Sequence, residues 1–420
     1  MKPHHTRFLS IPAVTAVAAL ALAACSSSGG GSSGGSSSPT GSAPITIGAS
    51  LSQTGDFSAD GQAFQRGYQL WASEVNANGG LLGHKVNLTF LNDQSDPTTV
   101  TTNYTKLITQ NKVNFVFGPF STLLTVPAAK VAARYRYAFI EGAGGGPAVY
   151  QLNLPNLFNP SPPIADQLVP FAQWVASLPP SQRPKTAAYP MVNDPFAVPM
   201  TQSAQAILQK AGVKTVYSKV FPAENPDYKA GADAVAATKA QLVILGTVDV
   251  PTVTAFIQAF EQQHYNPQII ASTGGPDQGA DFIKAVGEKN ATGIMVPNGW
   301  YAGLSNPLSQ AMVKAYLAKY GGSASDINAD VAEGYSVGEV LAAAVHGTKS
   351  LDNQKIIAYL HSGVTLQTVQ GAVKFDSSGA NTVAQKFVFQ WQNGAKFVQV
   401  LPTGASGSVA VVNPRPNWGS

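Results

Sequence analysis

Apolar residues along this chain recur with two different periods, one typical of helices and one typical of strands. In the segment 61–80, Phe64, Tyr68, Trp71 and Val75 stand at i, i+4, i+7 and i+11, which predicts a helix with one buried face. In the segment 85–92 apolar and polar residues alternate instead, which predicts a strand. The two patterns therefore mark a strand that directly follows a helix.

Such segments alternate from residue 45 to residue 273. The predicted strands are 45–52, 85–92, 113–120, 137–142, 186–191, 215–221, 240–247 and 267–273. The predicted helices are 61–80, 100–110, 126–135, 200–212, 228–239 and 250–265. This alternation predicts an α/β fold with parallel sheets, in which ligands bind beyond the carboxyl ends of the strands. The loops at those ends are 50–61, 118–122, 141–147, 193–196, 247–251 and 272–275.

The first 25 residues have the pattern of an export signal. Lys2 and Arg7 precede an apolar run over 11–24, which is short for a membrane span but has the length of a signal peptide. The stretch 22–25, Leu-Ala-Ala-Cys, resembles the lipobox of bacterial lipoproteins, in which the chain is cut before the cysteine and the cysteine is acylated. That resemblance predicts a signal peptide over 1–24 and a lipid on Cys25. The alternative is a short buried helix.

Composition supports an exported globular protein on a tether. Cys25 is the only cysteine in 420 residues, so the chain has no internal disulfide and no CxxC site. Residues 25–43 are almost entirely Ser and Gly, which predicts a flexible tether. Charged residues make up 11% of the chain, against about 25% in typical soluble domains. The net charge of +4 is spread without a basic run, which argues against nucleic-acid binding.

The sequence has no arrangement of residues typical of catalysis, metal binding or cofactor binding. There is no HExxH, and the six histidines do not cluster. GxSxG occurs inside the tether, at 30–34 and 31–35, and also at 334–338, where no predicted strand precedes it as in a nucleophile elbow. In the glycine loop 141–147, Pro147 takes the place of the third glycine of a dinucleotide-binding fingerprint. The sequence therefore predicts no catalytic residue, no metal site and no cofactor.

Five phrases of the sequence resemble one family, the solute-binding proteins of the leucine/isoleucine/valine type that serve ABC importers. They lie at 47–86, 92–100, 117–122, 192–196 and 369–400 and contain "NANGGLLG", "NDQSDP", "GPFST", "VNDPF" and "VKFDSSG". The resemblance covers almost all of residues 45–403. It implies the type I periplasmic-binding-protein fold, two Rossmann-like lobes joined by three crossing strands.

The resemblance also implies a division of the chain. The crossings are expected near 158–160, 295–297 and 369–373. Lobe 1 is then predicted to comprise residues 44–159 and 297–370, and lobe 2 residues 160–296 and 371–420.

Candidate ligand contacts in lobe 1 lie at two strand ends. Ser121 and Thr122 follow a Gly-Pro turn, where hydroxyl and backbone N–H groups can hold a carboxylate or carbonyl oxygen, or can simply cap the next helix. Gly144 and Gly145 occupy a loop that carries a hydroxyl in amino-acid-binding relatives. Here that loop offers only backbone, or it is a bare turn.

Lobe 2 and the cleft mouth supply the other candidates. Asp194 and Phe196 stand at one strand end, where Phe196 matches a position that often holds an aromatic ring over the ligand. Asp249 can accept a ligand ammonium or cap a helix, and Thr273 stands where some relatives have an acid. Four further candidates, which can equally be packing residues, are predicted at the mouth: Phe57, Asp60, Trp300 and Tyr301.

The sequence thus predicts an extracytoplasmic lipoprotein, anchored to the cell membrane, that captures a small ligand and delivers it to ABC permease subunits. The ligand classes are an amino acid or similar compound, an amide, or a small organic or aromatic acid. Because the glycine loop lacks hydroxyls and Thr273 is neutral, an uncharged or acidic ligand is expected to bind better than leucine. A ligand-sensing receptor module of the same fold remains the alternative, and an enzyme is disfavoured.

Overall fold

The computed structural model describes residues 42–223, 228–393, 395–405 and 407–419. The signal segment, Cys25 and the tether as far as residue 41 lie outside the described residues. Within the described ranges, no helix is both long and apolar enough to cross a membrane.

Fourteen strands are described in the chain. They are β1 Ser42–Leu51, β2 His84–Asn92, β3 Phe115–Phe117, β4 Phe139–Ile140, β5 Leu157–Phe158, β6 Thr186–Val192, β7 Lys214–Phe221, β8 Leu242–Leu245, β9 Ile269–Ser272, β10 Ile294–Asn298, β11 Leu366–Thr368, β12 Gly371–Val373, β13 Phe387–Gln392 and β14 Lys396–Leu401. All eight strands predicted between 45 and 273 are confirmed. β1 begins at residue 42, so the last two residues of the predicted tether belong to a strand.

Fourteen α-helices are described as well. They are α1 Ser58–Ala77, α2 Pro97–Thr109, α3 Thr122–Arg134, α4 Pro147–Tyr150, α5 Ile164–Gln167, α6 Val169–Ser177, α7 Ala197–Lys210, α8 Tyr228–Ala237, α9 Val250–Gln262, α10 Ala280–Val286, α11 Glu288–Ala291, α12 Pro307–Tyr320, α13 Ala329–Thr348 and α14 Asn353–Leu360. The six predicted helices are confirmed. In α1, Phe64, Tyr68 and Trp71 are buried as the period requires.

The strands form two main sheets. The first is all parallel with the order β2-β1-β3-β4-β5, and the second has the order β14-β13-β10-β9-β8-β6-β7. In the second sheet β6 to β10 are parallel to one another, whereas β13 runs antiparallel to both of its neighbours, β10 and β14. β11 and β12 form a separate antiparallel pair. Helices cover both sheets, so the predicted α/β fold with two parallel-sheet lobes is confirmed.

The chain returns to the first sheet after β10. Helix α13 packs on α1 through a shared core in which Val337, Val340 and Leu341 of α13 meet Tyr68 and Trp71 of α1. The helical layer on the first sheet is therefore completed by a helix that lies more than 250 residues after β1 in the chain. This return also places the first turn of α13 beside the first turn of α1.

The three connections between the sheets contact one another. The Asn159 N–H donates to the Gly379 carbonyl at 2.9 Å, and the Ser161 and Gln370 side chains are hydrogen-bonded at 3.1 Å. Gly299, after β10, packs on Pro162 so closely that a Cβ would lie 2.9 Å from the proline ring. Convergence of the connections at one place provides the physical basis for a hinge.

The predicted end of lobe 1 at residue 370 does not coincide with an end of the first core. Val373 and Phe375 are buried in the same cluster as Phe158, whose ring lies 5.2 Å from that of Phe375. The lobe boundaries as a whole stay a prediction.

Candidate functional site

A cavity lies between the carboxyl ends of the two sheets. Its empty space measures about 700 Å³ when the part open to solvent is counted. One wall is made by the strand-end loops of the first sheet and by α1 and α13, the other by the loops after β6, β8 and β9. This is the place at which the sequence predicted a ligand.

Six of the twelve predicted ligand contacts line this cavity, namely Asp60, Ser121, Gly145, Asp194, Phe196 and Thr273. Their contact with a ligand stays a prediction. The other six lie outside its wall, and each has a structural role that can be described.

Ser121 serves the helix that follows it. Its Oγ accepts a hydrogen bond from the Leu124 N–H at 3.3 Å, so it is the N-cap of α3, and its φ of 75° places it in the left-handed region. The neighbouring Thr122 is not part of the cavity wall, and its Oγ1 accepts from the Gly146 N–H at 3.2 Å. Thr122 therefore holds the glycine loop, and Ser121 keeps a position in the cavity wall.

The glycine loop is shaped by close packing. A Cβ on Gly144 would lie 2.4 Å from the Thr125 hydroxyl, and one on Gly146 would lie 2.5 Å from Thr122 and 2.7 Å from the Pro195 carbonyl. Gly144 is thus buried against α3, whereas Gly145 reaches the cavity. The glycines fit because there is no room for side chains, which is a sufficient reason for the missing hydroxyls.

On the second wall, Asp194 organises the turn into α7. Its Oδ1 accepts from the N–H groups of Phe196 at 2.7 Å and Ala197 at 3.1 Å. Burial raises the pKa of Asp194, and these backbone N–H groups lower it again in part. Asp194 is therefore a satisfied turn residue, and it positions the half-buried Phe196 ring.

Asp249 and Thr273 are both engaged by the protein. The Asp249 side chain accepts from the Thr252 N–H at 2.7 Å and caps α9, so the capping alternative describes it. Thr273 Oγ1 accepts from the Thr247 N–H at 2.8 Å and donates to the Thr247 carbonyl. Thr273 thus ties two strand-end loops together at the edge of the cavity.

The remaining aromatic candidates are packing residues. Phe57 is buried with its ring 5.6 Å from that of Phe120, which lines the cavity in its place. Trp300 is 1% exposed and donates its indole N–H to Ser309 Oγ. Tyr301 packs on Phe387 and Phe389. Trp300 and Tyr301 border an adjoining cavity, which shares Asp277, Gln278 and Asn298 with the first.

Sequence reasoning missed most of the carboxyl groups of the site. Asp277, Asp330 and Glu333 line the cavity together with Asp60, and Glu141 is buried just behind it. Asp277 lies four residues after Thr273 in the same loop, and Asp330 and Glu333 stand at i and i+3 in the first turns of α13. Asp277 lies two residues beyond the last predicted strand-end loop, 272–275, and Asp330 and Glu333 lie beyond the last predicted helix, 250–265.

These carboxyls change the expected charge of the site. Burial raises the pKa of Asp60 to about 7, that of Asp277 to about 6 and that of Glu141 to about 8. The pKa values of Asp330 and Glu333 lie well above the usual range because of burial and neighbouring carboxyls. A ligand ammonium thus has carboxyl groups near it besides Thr273, and the expected preference for an uncharged or acidic ligand over leucine stays a prediction.

One glutamine joins the two walls. Gln278 donates its amide to Asp60 of α1 and accepts from the Asn328 side chain at 2.9 Å. Asp60 and Asn328 belong to the wall of the first sheet, whereas Gln278 belongs to the loop after β9. Gln278 therefore links the two sides of the cavity.

Comparison with known proteins agrees with this architecture. The family model described as "Periplasmic binding protein" matches residues 44–396. An "Amino acid binding protein" of Pseudomonas aeruginosa is 24% identical over 359 residues, which cover 85% of this chain and 93% of that protein.

Two solved structures share the fold. The substrate-binding protein of a branched-chain amino acid transporter from Streptococcus pneumoniae, in complex with isoleucine, superimposes with a TM-score of 0.73 at 20% identity. The match covers 88% of this chain and all of that one. An R. palustris solute-binding protein in complex with benzoate gives a TM-score of 0.72 at 17% identity, over 89% of this chain and 98% of that one. The chain therefore belongs to the periplasmic binding protein family, whose members are extracytoplasmic solute-binding proteins.

Proposed function

We propose that this protein is the lipid-anchored solute receptor of an ABC importer and has no enzymatic activity of its own. The observation that carries the proposal is the cavity between two sheets whose walls are joined through Gln278. Relatives named for leucine, isoleucine and valine, and structures with isoleucine or benzoate, support a small organic ligand.

The proposed mechanism is closure about the hinge. A ligand that contacts both walls has more contacts in the closed form, so it shifts the population toward that form. The closed protein then docks on the permease and releases the ligand. In this scheme Ser121, Gly145, Phe196 and Asn159 contribute polar and apolar contacts from both walls.

A thermal-shift screen combined with small-angle scattering tests receptor function. We expect at least one amino acid, amide, amine or organic acid to raise the melting temperature, because binding to the folded state stabilises it. The same compound is expected to reduce the radius of gyration. Failure of every small solute to do either contradicts the proposal.

The lipid anchor requires a separate experiment. Cys25→Ser is expected to abolish incorporation of labelled fatty acid and to move the protein out of the washed membrane fraction, since acyl chains supply the membrane affinity. Ser28→Ala, in the tether, serves as the matched control and is expected to leave both unchanged. Membrane-bound wild-type protein with an unmodified Cys25 contradicts the anchor.

A sensing role on the same fold is distinguished by the gene neighbours and by transport. Permease and ATPase genes beside this gene, and loss of uptake of the solute on deletion, support import. A neighbouring signalling gene and unchanged uptake support the sensor.

A further inference from the structure

Five carboxyl groups line the cavity, and one of them, Asp194, is satisfied by the backbone N–H groups of Phe196 and Ala197. The other four come from both sides of the cavity. Asp60, Asp330 and Glu333 come from the first turns of α1 and α13, and Asp277 comes from the loop after β9. Asp330 is 8% exposed, lies close enough to Asp60 to share a hydrogen bond, and has no partner for its Oδ2. Oδ1 of Asp277 is likewise buried without a partner. Two opposite walls therefore present unsatisfied acceptors to the same space.

No cation of the described chain compensates these groups. The cavity wall contains no Lys, Arg or His among the described residues. Arg66 lines only the adjoining cavity, and the two ion pairs found in the described ranges, Lys229–Asp233 and Lys386–Asp166, involve other acids. A buried carboxylate without a partner is costly, so the site is incomplete as the protein alone forms it.

The positive ends of α1 and α13 offset part of this cost, because a helix N-terminus favours a nearby negative charge. They do not supply hydrogen-bond donors to Asp277, which belongs to the other wall. A metal ion does not fit either, since the described residues contain no group of three or more His, Cys, Asp or Glu side chains arranged to hold one.

We infer that the cavity binds a small organic cation, an amine, amidine or guanidine with an apolar body, in preference to a zwitterionic or acidic solute. This inference rests on the proposed receptor function and names the class of its ligand. The N–H donors of such a cation satisfy Asp330 on one wall and Asp277 on the other. The apolar body packs on Phe120, Phe196 and Ile164, which line the same cavity.

The same charges couple binding to closure. In the closed form Asp277 faces Asp60, Asp330 and Glu333 across the cleft, and carboxylates facing one another repel and favour the open form. A cation between the walls replaces this repulsion with attraction on both sides. An anionic solute adds to the repulsion, so it cannot close the cleft without protons.

Calorimetry with solutes of one shape and different charge tests the inference. The probes are 3-methylbutylamine, leucine and 4-methylpentanoate, with benzylamine against benzoate as a second pair and 1,5-diaminopentane as a dication. At pH 8 we expect the amines to bind at least tenfold more tightly than leucine and at least a hundredfold more tightly than the acids. Calcium chloride is included as the metal control.

Proton release gives an independent readout. Groups that can exchange protons with the site are Asp60, Glu141, Asp194, Asp277, Asp330 and Glu333, and the adjoining cavity has Arg66 in its wall. A bound cation favours their ionised forms, so we expect roughly one or more protons to be released per ligand at pH 6.5, measured in buffers of different ionisation enthalpy. Binding without proton release contradicts the inference.

Variants locate the effect. Asp330→Asn and Asp277→Asn are each expected to weaken amine binding tenfold or more and to reduce proton release. Glu288→Gln removes the same charge from an exposed position and is expected to change neither. An unfolded variant is recognised by its lost melting transition, and the wild-type solute ranking then decides alone.

The outcomes separate the two proposals. Tight binding of leucine or benzoate, with weak binding of amines, overturns the inference that the ligand is an organic cation. It leaves the proposed receptor function intact. Binding of calcium alone, lost in Asp330→Asn, replaces the organic cation with a metal. Absence of binding by every solute contradicts both proposals.

Discussion

Buried carboxyl groups occur in two very different settings in this protein, and the contrast separates architecture from function. Asp93, at the end of β2, is fully buried and accepts hydrogen bonds from Ser50 Oγ at 3.0 Å, Ser52 Oγ at 2.6 Å and the Ser95 N–H at 3.0 Å. Asp330 is nearly as buried, yet one of its oxygens has no donor.

The difference shows what each group is for. Asp93 accepts from Ser50 in β1, from Ser52 just after β1 and from Ser95 in the β2–α2 loop, so it ties these loops to the sheet without a ligand. The cavity carboxyls lack such donors, so their burial is favourable only once something else supplies them. Mutation of a carboxyl group that has all its donors is therefore expected to lower stability, whereas mutation of one that lacks donors is not.

The largest expected effect is on stability at the satisfied site. Asp93→Ala leaves two buried hydroxyls and one N–H without an acceptor, and we expect the free energy of unfolding to fall by about 3 kcal/mol or more. Asp330→Asn, at the unsatisfied site, is expected to leave the urea midpoint unchanged or to raise it. Equal destabilisation by both variants contradicts the proposed difference between the two sites.

The second effect is on the pH dependence of stability. Unfolded carboxyls titrate near pH 4, whereas burial raises the pKa of Asp277 to about 6 and that of Asp60 to about 7. The folded state therefore binds more protons between pH 4 and pH 8, and stability is lost as the pH rises through this window.

We expect the free energy of unfolding of the ligand-free protein to fall by roughly 2 kcal/mol between pH 5 and pH 8, measured by urea unfolding. Asp330→Asn is expected to flatten the profile, and Glu288→Gln to leave it alone. A profile that rises over this range shows that the cavity acids are ionised and already compensated.

How much of this could be read from the sequence depends on the kind of signal. Helix α1 was predictable because its inward residues recur at a fixed spacing, and Asp249 was a predictable cap because it directly precedes its helix. The contact of Gln278 with Asp60 joins residues 218 positions apart, and no local spacing contains that information.

The cavity acids were hidden for a related reason. Helix α13 is buried on several sides, as Val331, Ala332, Ser336 and Val340 show, so it has no clear polar face on which Asp330 would stand out. Thr273 illustrates the same point, because it is neutral itself while Asp277, four residues later in the same loop, adds a carboxyl group to the same cavity. The charge of a site is a sum over elements that only the fold brings together.

A smaller effect is expected at the link between the two walls. Gln278→Ala removes two hydrogen bonds across the cleft, each contributing about 1 kcal/mol, so ligand affinity is expected to fall by up to roughly thirtyfold. Gln263→Ala, at an exposed glutamine that bonds Asp233, is the matched control. A larger radius of gyration for the Gln278 variant, with melting temperature unchanged, shows that closure rather than folding is affected.

The smallest effect concerns Ser121, which has a structural role as the cap of α3 and also lines the cavity. Ser121→Ala removes the cap and keeps a side chain at a φ of 75°, so we expect a loss of about 1 kcal/mol of stability. Ser121→Gly also removes the hydroxyl, but glycine adopts this φ without strain, and the loss is expected to be only a few tenths of a kcal/mol. If ligand affinity falls equally in both variants, the hydroxyl contacts the ligand. If affinity falls only in Ser121→Ala, in step with stability, Ser121 acts through the helix alone.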